Sequence, residues 1–266
     1  MNVLFRPLLL LPLLMSACAS RPPEVPYPAF IQADDLPDVF LAALPGIRAK
    51  QFAGNPQSRR SSNRLQLPAN WSGSTGGSPL KSVEIYVLTG EVTLGDLPLA
   101  PGGYAWLPAG MSGVNLQTKQ GATLLWFLDD ANPASVIGTP YISSSEITDW
   151  QPGARPGLRE KELRRDPGSG ARTWLLDVTP EARVPWSSAS NVVEGYLLSG
   201  DTRDSECIAG EAVTANYLPG GYFHRPAGAV HGGPAAVALQ PSVWLLRIAG
   251  PTTVNELSGC VAPAAP

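Results

Sequence analysis

The sequence predicts an all-β protein made of two tandem barrels, each built from facing antiparallel sheets. Three observations support this prediction. The chain has 27 glycines and 28 prolines among 266 residues, which is too many helix breakers for a helical bundle. Short apolar blocks rich in valine, leucine, tyrosine and tryptophan alternate with glycine-rich turns, as strands do in all-β proteins. An internal repeat then divides the chain into two similar units.

The repeat consists of two pairs of matching blocks in the same order. VEIYVLTG at 83–90 matches VEGYLLSG at 193–200, and PGGYAWLPAG at 101–110 matches PGGYFHRPAG at 219–228. Blocks that match in both sequence and order indicate a duplication. Each copy is about the size of a small closed barrel or jelly roll.

We expect the first barrel at residues 43–135 and the second at 158–250. Most of the chain is interrupted too often by glycine and proline to form helices. Residues 36–50 and 158–165 are the stretches that could supply short ones.

Residues 1–18 are typical of a signal peptide. Arg6 precedes an apolar run that falls short of the roughly 20 residues that span a bilayer, and small residues lead directly to Cys18. The segment resembles the bacterial lipoprotein signal, in which this cysteine carries the lipid. The resemblance implies an outer-membrane anchor with the body in the periplasm, and an ordinary secretory signal is the alternative. Residues 19–42, rich in proline and polar groups, read as a tether.

Two further cysteines fit this compartment. If Cys18 carries lipid, Cys207 and Cys260 remain as an even pair in an oxidising space, which favours a disulfide over two free thiols. Closing a loop of that length contributes about 4 kcal/mol to stability in the chain-entropy model.

Several stretches resemble a known family. The pattern E-x-Y-x-L-x-G followed by G-x-x-x-x-P-A-G-x-x-H resembles the cupins, small barrels also described as double-stranded β-helices or jelly rolls. Residues 43–54, 161–176 and 219–233 are similar to a bicupin family of unknown function, which is related to acetylacetone-dioxygenase-like proteins and anti-sigma-factor cupins. The resemblance implies two cupin barrels and leaves the activity open.

The resemblance also directs attention to the second copy. Metal-binding cupins place two histidines and a glutamate on one strand and a last histidine after a P-x-G turn. The first copy has Gly113 at that last position, which makes it a degenerate barrel, whereas the second copy retains His231. His231, His224 and Glu194 are therefore the candidate ligands for one divalent transition metal, iron or zinc, in a two-histidine, one-carboxylate arrangement.

The spacing of Glu194 weakens this metal hypothesis. The stretch from Glu194 to its closing Gly200 is one residue shorter than in the family pattern. Because strand side chains alternate between faces, a one-residue slip points Val193 into the barrel and Glu194 away from it, unless a bulge restores the register.

Without metal, the mouth of the second barrel still offers a pocket. Period-two alternation puts Tyr222 and His224 on one strand face, and Trp186 stands where the motif-one histidines usually begin. We expect these residues and His231 to hold a small ligand with an apolar body and a polar or anionic group. Arg225 is a candidate anion clamp, with a plain surface position as the alternative.

The sequence thus leaves three functions open. The favoured one is a periplasm-facing lipoprotein that binds a small molecule in its C-terminal barrel. The alternatives are a metal-dependent dioxygenase or related oxidoreductase of the non-haem iron type, and a structural envelope protein. With 19 basic and 22 acidic residues, the chain lacks the basic surface that nucleic-acid binding needs. A homodimer is a further expectation.

Overall fold

A computed structural model describes the chain over residues 24–41, 44–76, 78–111 and 113–261. The predicted signal segment 1–18, including the lipidation candidate Cys18, lies outside these residues. Within the described ranges, none of the helical structure has the length and apolar character needed to cross a bilayer.

The described residues form antiparallel strands and one short 3₁₀ helix, Ala33–Asp35. In chain order, the strands are β1 (Ile31–Gln32), β2 (Asp38–Val39), β3 (Arg48–Gly54), β4 (Ser61–Leu67), β5 (Ser72–Ser74), β6 (Lys81–Gly90), β7 (Val92–Leu94), β8 (Leu97–Leu99), β9 (Gly103–Leu107), β10 (Asn115–Gln117), β11 (Ala122–Asp130), β12 (Tyr141–Ser144), β13 (Gln151–Pro152), β14 (Leu158–Arg165), β15 (Arg172–Val178), β16 (Ser187–Ala189), β17 (Val193–Ile208), β18 (Glu211–Tyr217), β19 (Gly221–Arg225), β20 (Val230–His231), β21 (Val237–Ile248) and β22 (Val254–Glu256).

Strands β2 to β12 form the first barrel. One wall is a sheet in the order β12-β9-β6-β11-β4-β3-β2, and the facing wall is a sheet in the order β5-β10-β7-β8. Alternation along β6 sends Val83, Ile85 and Val87 into the core between the walls. Trp126 on β11 lies in the same core.

Strands β13 to β22 form the second barrel from one curled sheet. The long strand β17 pairs with β19 and β21 through its first half and with β18 through its second half. The strand bends at Gly200, which has φ +94°, and a Cβ there would lie 2.5 Å from the carbonyl oxygen of Pro241. The core of this barrel contains Leu197, Phe223 and Trp244.

The barrels pack against each other through outward-facing side chains of the larger sheet of the first barrel and of the curled sheet of the second. Phe52 and Tyr104 of the first barrel share one buried cluster with Tyr196 and Tyr222 of the second. The rings of Phe52 and Tyr222 stack with centroids 4.6 Å apart. Along each strand, the residues buried in this aromatic interface alternate with the residues that point into the barrel core.

Among the described residues, the suggested helices do not form. Residues 158–165 are strand β14, which pairs with β15 along its length. At 36–50, the described positions include strands β2 and the start of β3. Both stretches contain good helix formers, but pairing with a neighbouring strand decides their structure, as tertiary context commonly does.

The predicted tether is also more structured than expected. Within residues 24–41, β1 adds to the second barrel by pairing with β19. The ring of Phe30 stacks on Tyr217 at 5.2 Å between centroids. Tyr27 donates a hydrogen bond of 2.8 Å from its hydroxyl to Glu206 Oε2. This segment therefore covers part of the second barrel.

A disulfide joins the second barrel to the C-terminal segment. Cys207 on β17 is bonded to Cys260, with the two Cα atoms 5.3 Å apart. The bond closes a loop across 53 positions of the chain.

Candidate functional site

The second barrel contains a partly open cavity of about 140 Å³. Its walls are mainly apolar, and one end carries polar side chains. The apolar lining comes from Leu176, Val178, Val184, Val193, Phe223, Ala236, Val237, Ala238, Trp244 and Leu246. The polar lining comes from Thr202, Arg203, Asp204, Arg225 and His231.

A glycine makes room for the cavity wall. Gly195 on β17 faces the barrel core, where a Cβ would lie 2.4 Å from Cζ of Phe223 and 2.9 Å from Cδ2 of Leu246. The first copy has Ile85 at the matching position of its repeat block, packed in its own core. The glycine lets the edge of the Phe223 ring approach β17 closely.

A buried arginine occupies the polar end. Arg225 is 4% exposed and donates hydrogen bonds from Nε to Glu206 Oε1 at 2.8 Å and from Nη2 to Asp204 Oδ2 at 2.6 Å. Its Cζ also lies 3.9 Å from the centroid of the Phe223 ring. The two carboxylates outweigh the desolvation of the guanidinium and raise the pKa of Arg225, so this side chain is a fixed cation.

The carboxylates exceed the arginine by one charge. Burial raises the pKa of Glu206 despite the nearby Arg225, and the hydroxyl of Tyr27 supplies a hydrogen bond to its second oxygen. Desolvation is the main cause, because Glu206 is 0% exposed. The buried cluster of Arg225, Asp204 and Glu206 is therefore neutral or negative, depending on whether Glu206 holds a proton, and the exposed Arg203 adds a positive charge to the lining.

His231 is the imidazole that lines the cavity. Burial and the nearby Arg225 lower its pKa to about 3, so the ring is neutral at ordinary pH. Its Nδ1 is buried and has no hydrogen-bond partner among the residues that the structure describes. A buried ring nitrogen without a partner is costly, which makes it a position where a ligand group could bind.

The other predicted ligand contacts lie elsewhere. Tyr222 donates its hydroxyl proton to Glu194 in the interface between the barrels, not in the cavity. His224 pairs in register with Glu194 and so shares its face of the sheet, away from His231. The half-buried Trp186 packs its indole on Gly233, where a Cβ would lie 2.2 Å from Cε2 of the indole.

The predicted metal ligands are consequently not brought together. Glu194 accepts a hydrogen bond of 2.6 Å from Nη1 of Arg247, on the face opposite the cavity. Val193 lines the cavity instead, as the spacing of the glutamate predicted. In the described parts of the chain, no group of three or more histidine, cysteine, aspartate or glutamate side chains is arranged to hold a metal ion. These residues do not fit the metal centre that the resemblance implies.

Sequence reasoning missed the two carboxylates that pair with Arg225, of which Asp204 lines the cavity. Thr202, Asp204 and Glu206 alternate along β17 and are all buried. A period-two stripe of polar residues was a signal that this strand carries a polar inner face. Arg225 was considered as an anion clamp, but it is already paired with both carboxylates.

A second buried ionic cluster lies between the barrels. Arg247 donates from Nε to Glu84 Oε2 at 2.8 Å and also binds Glu194 and Asp129. Glu84 and Glu194 are the matching glutamates of the two repeat copies, and each accepts a tyrosine hydroxyl proton from its own barrel. Glu84 therefore connects the barrels directly, whereas Glu194 holds Arg247 in place from within the second barrel.

Comparison with known proteins identifies the fold alone. No protein-family model matches the chain, and no curated protein matches its sequence. A candidate dioxygenase from Nostoc punctiforme superposes with a TM-score of 0.70 at 18% identity, over 88% of each chain. Protein YlbA from Escherichia coli has a TM-score of 0.66 at 14% identity, over 86% of this chain and 94% of its own.

An oxalate decarboxylase variant from Bacillus subtilis is also similar, with a TM-score of 0.59 at 16% identity, over 85% of this chain and 78% of its own. These neighbours are cupin-fold proteins. The chain therefore has the cupin fold, in two tandem barrels.

Proposed function

We propose that this cupin-fold protein binds a small uncharged molecule inside its second barrel. The observation that carries the proposal is the cavity of about 140 Å³, whose lining includes the neutral His231, a residue with a buried ring nitrogen that has no hydrogen-bond partner among the described residues. Cavities of about 150 Å³ accommodate a molecule the size of benzene. The ligand is thus a compact molecule with a ring or a short branched chain.

The charges at the polar end favour a neutral ligand over an anion. Arg225 faces two carboxylates, Asp204 and Glu206, and donates hydrogen bonds to both. In the buried part of this end, an anion would meet these carboxylates without an unpaired buried cation to offset them, because the other arginine of the lining, Arg203, is exposed and donates to Asn216. A hydroxyl group, by contrast, can donate to or accept from a neutral imidazole. We therefore assign the ligand one hydroxyl or similar hydrogen-bonding group, placed against His231.

Phenol is a suitable probe, because it combines a small ring with a hydroxyl. Isothermal titration of the full-length protein with phenol should give saturable binding, whereas benzoate should bind far more weakly. His231→Leu removes the hydrogen bond and should weaken phenol binding about fivefold, the effect of about 1 kcal/mol. His224→Leu makes the same chemical change on the opposite face and should leave phenol binding unaltered.

A cavity-filling variant tests the location independently. Ala238 lines the cavity, so Ala238→Leu should abolish phenol binding by occupying its volume. The proposal fails if phenol does not bind, or if His224→Leu weakens binding as much as His231→Leu. Tighter binding of benzoate than of phenol would overturn the assignment of an uncharged ligand.

The fold keeps a metal-dependent oxidoreductase as the competing hypothesis, since a candidate dioxygenase is among its structural neighbours. The residues present do not support it, because Glu194 and His224 face away from His231. Metal analysis of the purified protein discriminates between the two. About one transition metal per chain, lost in His231→Ala, would favour the oxidoreductase over the metal-free binding protein.

We also propose that the protein is a lipoprotein anchored through Cys18, with its barrels in the periplasm. The support is the sequence of residues 1–18, as analysed above. Five residues lie between Cys18 and Glu24, where the described structure begins, and the six Cα–Cα steps across them reach about 20 Å at most. The second barrel would thus lie close to the membrane. Cys18→Ser should abolish labelling by radioactive palmitate and release the protein from the membrane fraction; persistence of both would refute the anchor.

A further inference from the structure

We propose that a cleft between the two barrels binds a short-chain monocarboxylate through Arg164. This site is separate from the cavity of the second barrel and does not depend on the function proposed for it. The cleft has a volume of about 250 Å³. Its lining includes Arg60, Trp106, Asn132, Arg164, Arg247 and Ala249.

Arg164 differs from Arg247 in having no carboxylate within ion-pair distance among the described residues, although the charge of Glu84 acts on it through space. It is 5% exposed, and its guanidinium lies over the Trp106 ring, with Cζ 4.8 Å from the centroid. Its one hydrogen bond to the residues that the structure describes runs from Nε to the hydroxyl of Tyr104, at 3.0 Å. Neither terminal nitrogen has an acceptor in those parts of the chain. Because Arg164 lines the cleft and these charged donors have no acceptor there, they favour a ligand that accepts hydrogen bonds in the cleft.

Arg247 supplies the contrast within the same cleft. It donates to Glu84, Glu194 and Asp129 and is fully committed to the interface between the barrels. The two arginines are similarly buried, so burial does not explain the difference. Arg164 is the one whose outer edge is available in the cleft.

The acids around the cleft already have partners. Asp129 lies 3.5 Å from Arg60 in addition to its contact with Arg247. Asp130 is paired with Lys81. Asp166 accepts the Ser135 hydroxyl and three backbone N–H groups, which together lower its pKa to about 2 against the effect of burial. None of them is left to pair with Arg164.

These features define the ligand's chemistry. The two terminal nitrogens of a guanidinium match a carboxylate, which can accept two parallel hydrogen bonds. The surrounding carboxylates oppose a second negative charge, which favours a monoanion over a dianion. Pro133, Ile248 and Ala249 add apolar surface to the cleft, so a short hydrocarbon chain can follow the carboxylate.

Butyrate is the probe for this proposal, with uncharged butyramide as its isostere. Titration of the full-length protein with sodium butyrate should give saturable binding, and butyramide should bind at least tenfold more weakly. Arg164→Met should weaken butyrate binding at least tenfold. Arg165→Met is the matched control, because Arg165 is next in sequence, exposed and paired with Glu162, and it should bind butyrate as the wild type does.

A second variant tests the site independently, in case Arg164→Met does not fold. Ala249 is exposed at the cleft, so Ala249→Trp should block the site without disturbing a core, and should also weaken butyrate binding at least tenfold. His231→Leu should leave butyrate binding unchanged, which separates this site from the barrel cavity. Absence of saturable butyrate binding, an equal effect of Arg165→Met, loss in His231→Leu, or tighter binding of phosphate than of butyrate would each overturn the proposal.

Discussion

Replacing Arg247 by methionine tests whether the ionic cluster connects the barrels. Methionine keeps much of the apolar stem but removes the charge that Glu84 and Glu194 share. These glutamates are 2% and 6% exposed, so neither can regain water without opening the interface. Asp129 is less affected, since its side chain is 28% exposed and lies near Arg60. The variant therefore leaves two buried carboxylates without their main partner.

The loss of stability expected for Arg247→Met follows from the burial of these two carboxylates. Removing one partner of a buried ion pair typically destabilises a protein by about 3–5 kcal/mol, because the remaining charge stays desolvated. We expect a loss in this range for Arg247→Met, and partial recovery when Glu84→Gln is added, because that change removes one stranded charge. Arg165→Met, at an exposed ion pair, should cost less than about 1 kcal/mol.

The pH dependence of the free energy of unfolding tests the role of these glutamates more directly. Burial alone would raise the pKa of Glu84, but Arg247 and Arg164 hold it below the ordinary range. In the wild type, this carboxylate contributes stability above its unfolded pKa, and the contribution is lost as the pH falls through the folded pKa. Without Arg247, burial dominates and the folded carboxyl binds a proton more readily than the unfolded one. The deficit of the variant should therefore be smaller at about pH 4.5 than at about pH 7.

Urea denaturation of wild type and variants at both pH values provides the free energies of unfolding. A deficit below about 1 kcal/mol at pH 7 would show that the cluster contributes little to stability. A deficit that is equal at the two pH values would refute the assignment of the stranded charge to the glutamates.

Two further predictions concern the cavity. Burial and Arg225 lower the pKa of His231 to about 3, so as the pH falls the unfolded chain binds a proton at this residue before the folded protein does. The wild type should therefore lose about 3 kcal/mol of stability through His231 between the unfolded pKa of histidine and about pH 4. His231→Leu should remove this loss in urea denaturation and His224→Leu should retain it; identical pH profiles for the two variants would contradict the burial of His231. Gly195→Ala should destabilise the protein by about 1–3 kcal/mol by displacing Phe223, whereas Gly138→Ala, with nothing within 4 Å of the new Cβ, should change stability by less than about 0.5 kcal/mol. A Gly195→Ala protein as stable as the wild type would show that the ring is free to move.

The two-barrel organisation could be predicted because the repeat blocks carry the positions that bend the strands. Gly90 and Gly200 close the matching blocks, and both have positive φ, +75° and +94°. A Cβ at Gly90 would lie 2.2 Å from the carbonyl oxygen of Gly121, and the same conflict with Pro241 arises at Gly200. Only glycine satisfies both the dihedral angle and the close approach, so the fold leaves a direct trace in the sequence.

The ionic cluster between the barrels could not be predicted in the same way. Arg247 and Glu84 are 163 positions apart in sequence and belong to different barrels. Period-two alternation indicates that Glu84 faces outward, but it does not say what lies outside. That depends on how the barrels pack, and the repeat contains no information about their relative orientation. The arginine within the apolar run VWLLRI was the available hint of a buried partner.

The prediction that Tyr222 and His224 line the ligand pocket failed for a different physical reason. Alternation correctly separated Tyr222 and His224 from Phe223 and Arg225, yet it cannot tell which of the two faces is the inner one. The neighbouring strand contains that information. The spacing argument points Glu194 outward, and antiparallel partners share a face, so its partner His224 must point outward as well. Strand pairing, applied before the family resemblance, would have assigned Arg225 to the interior.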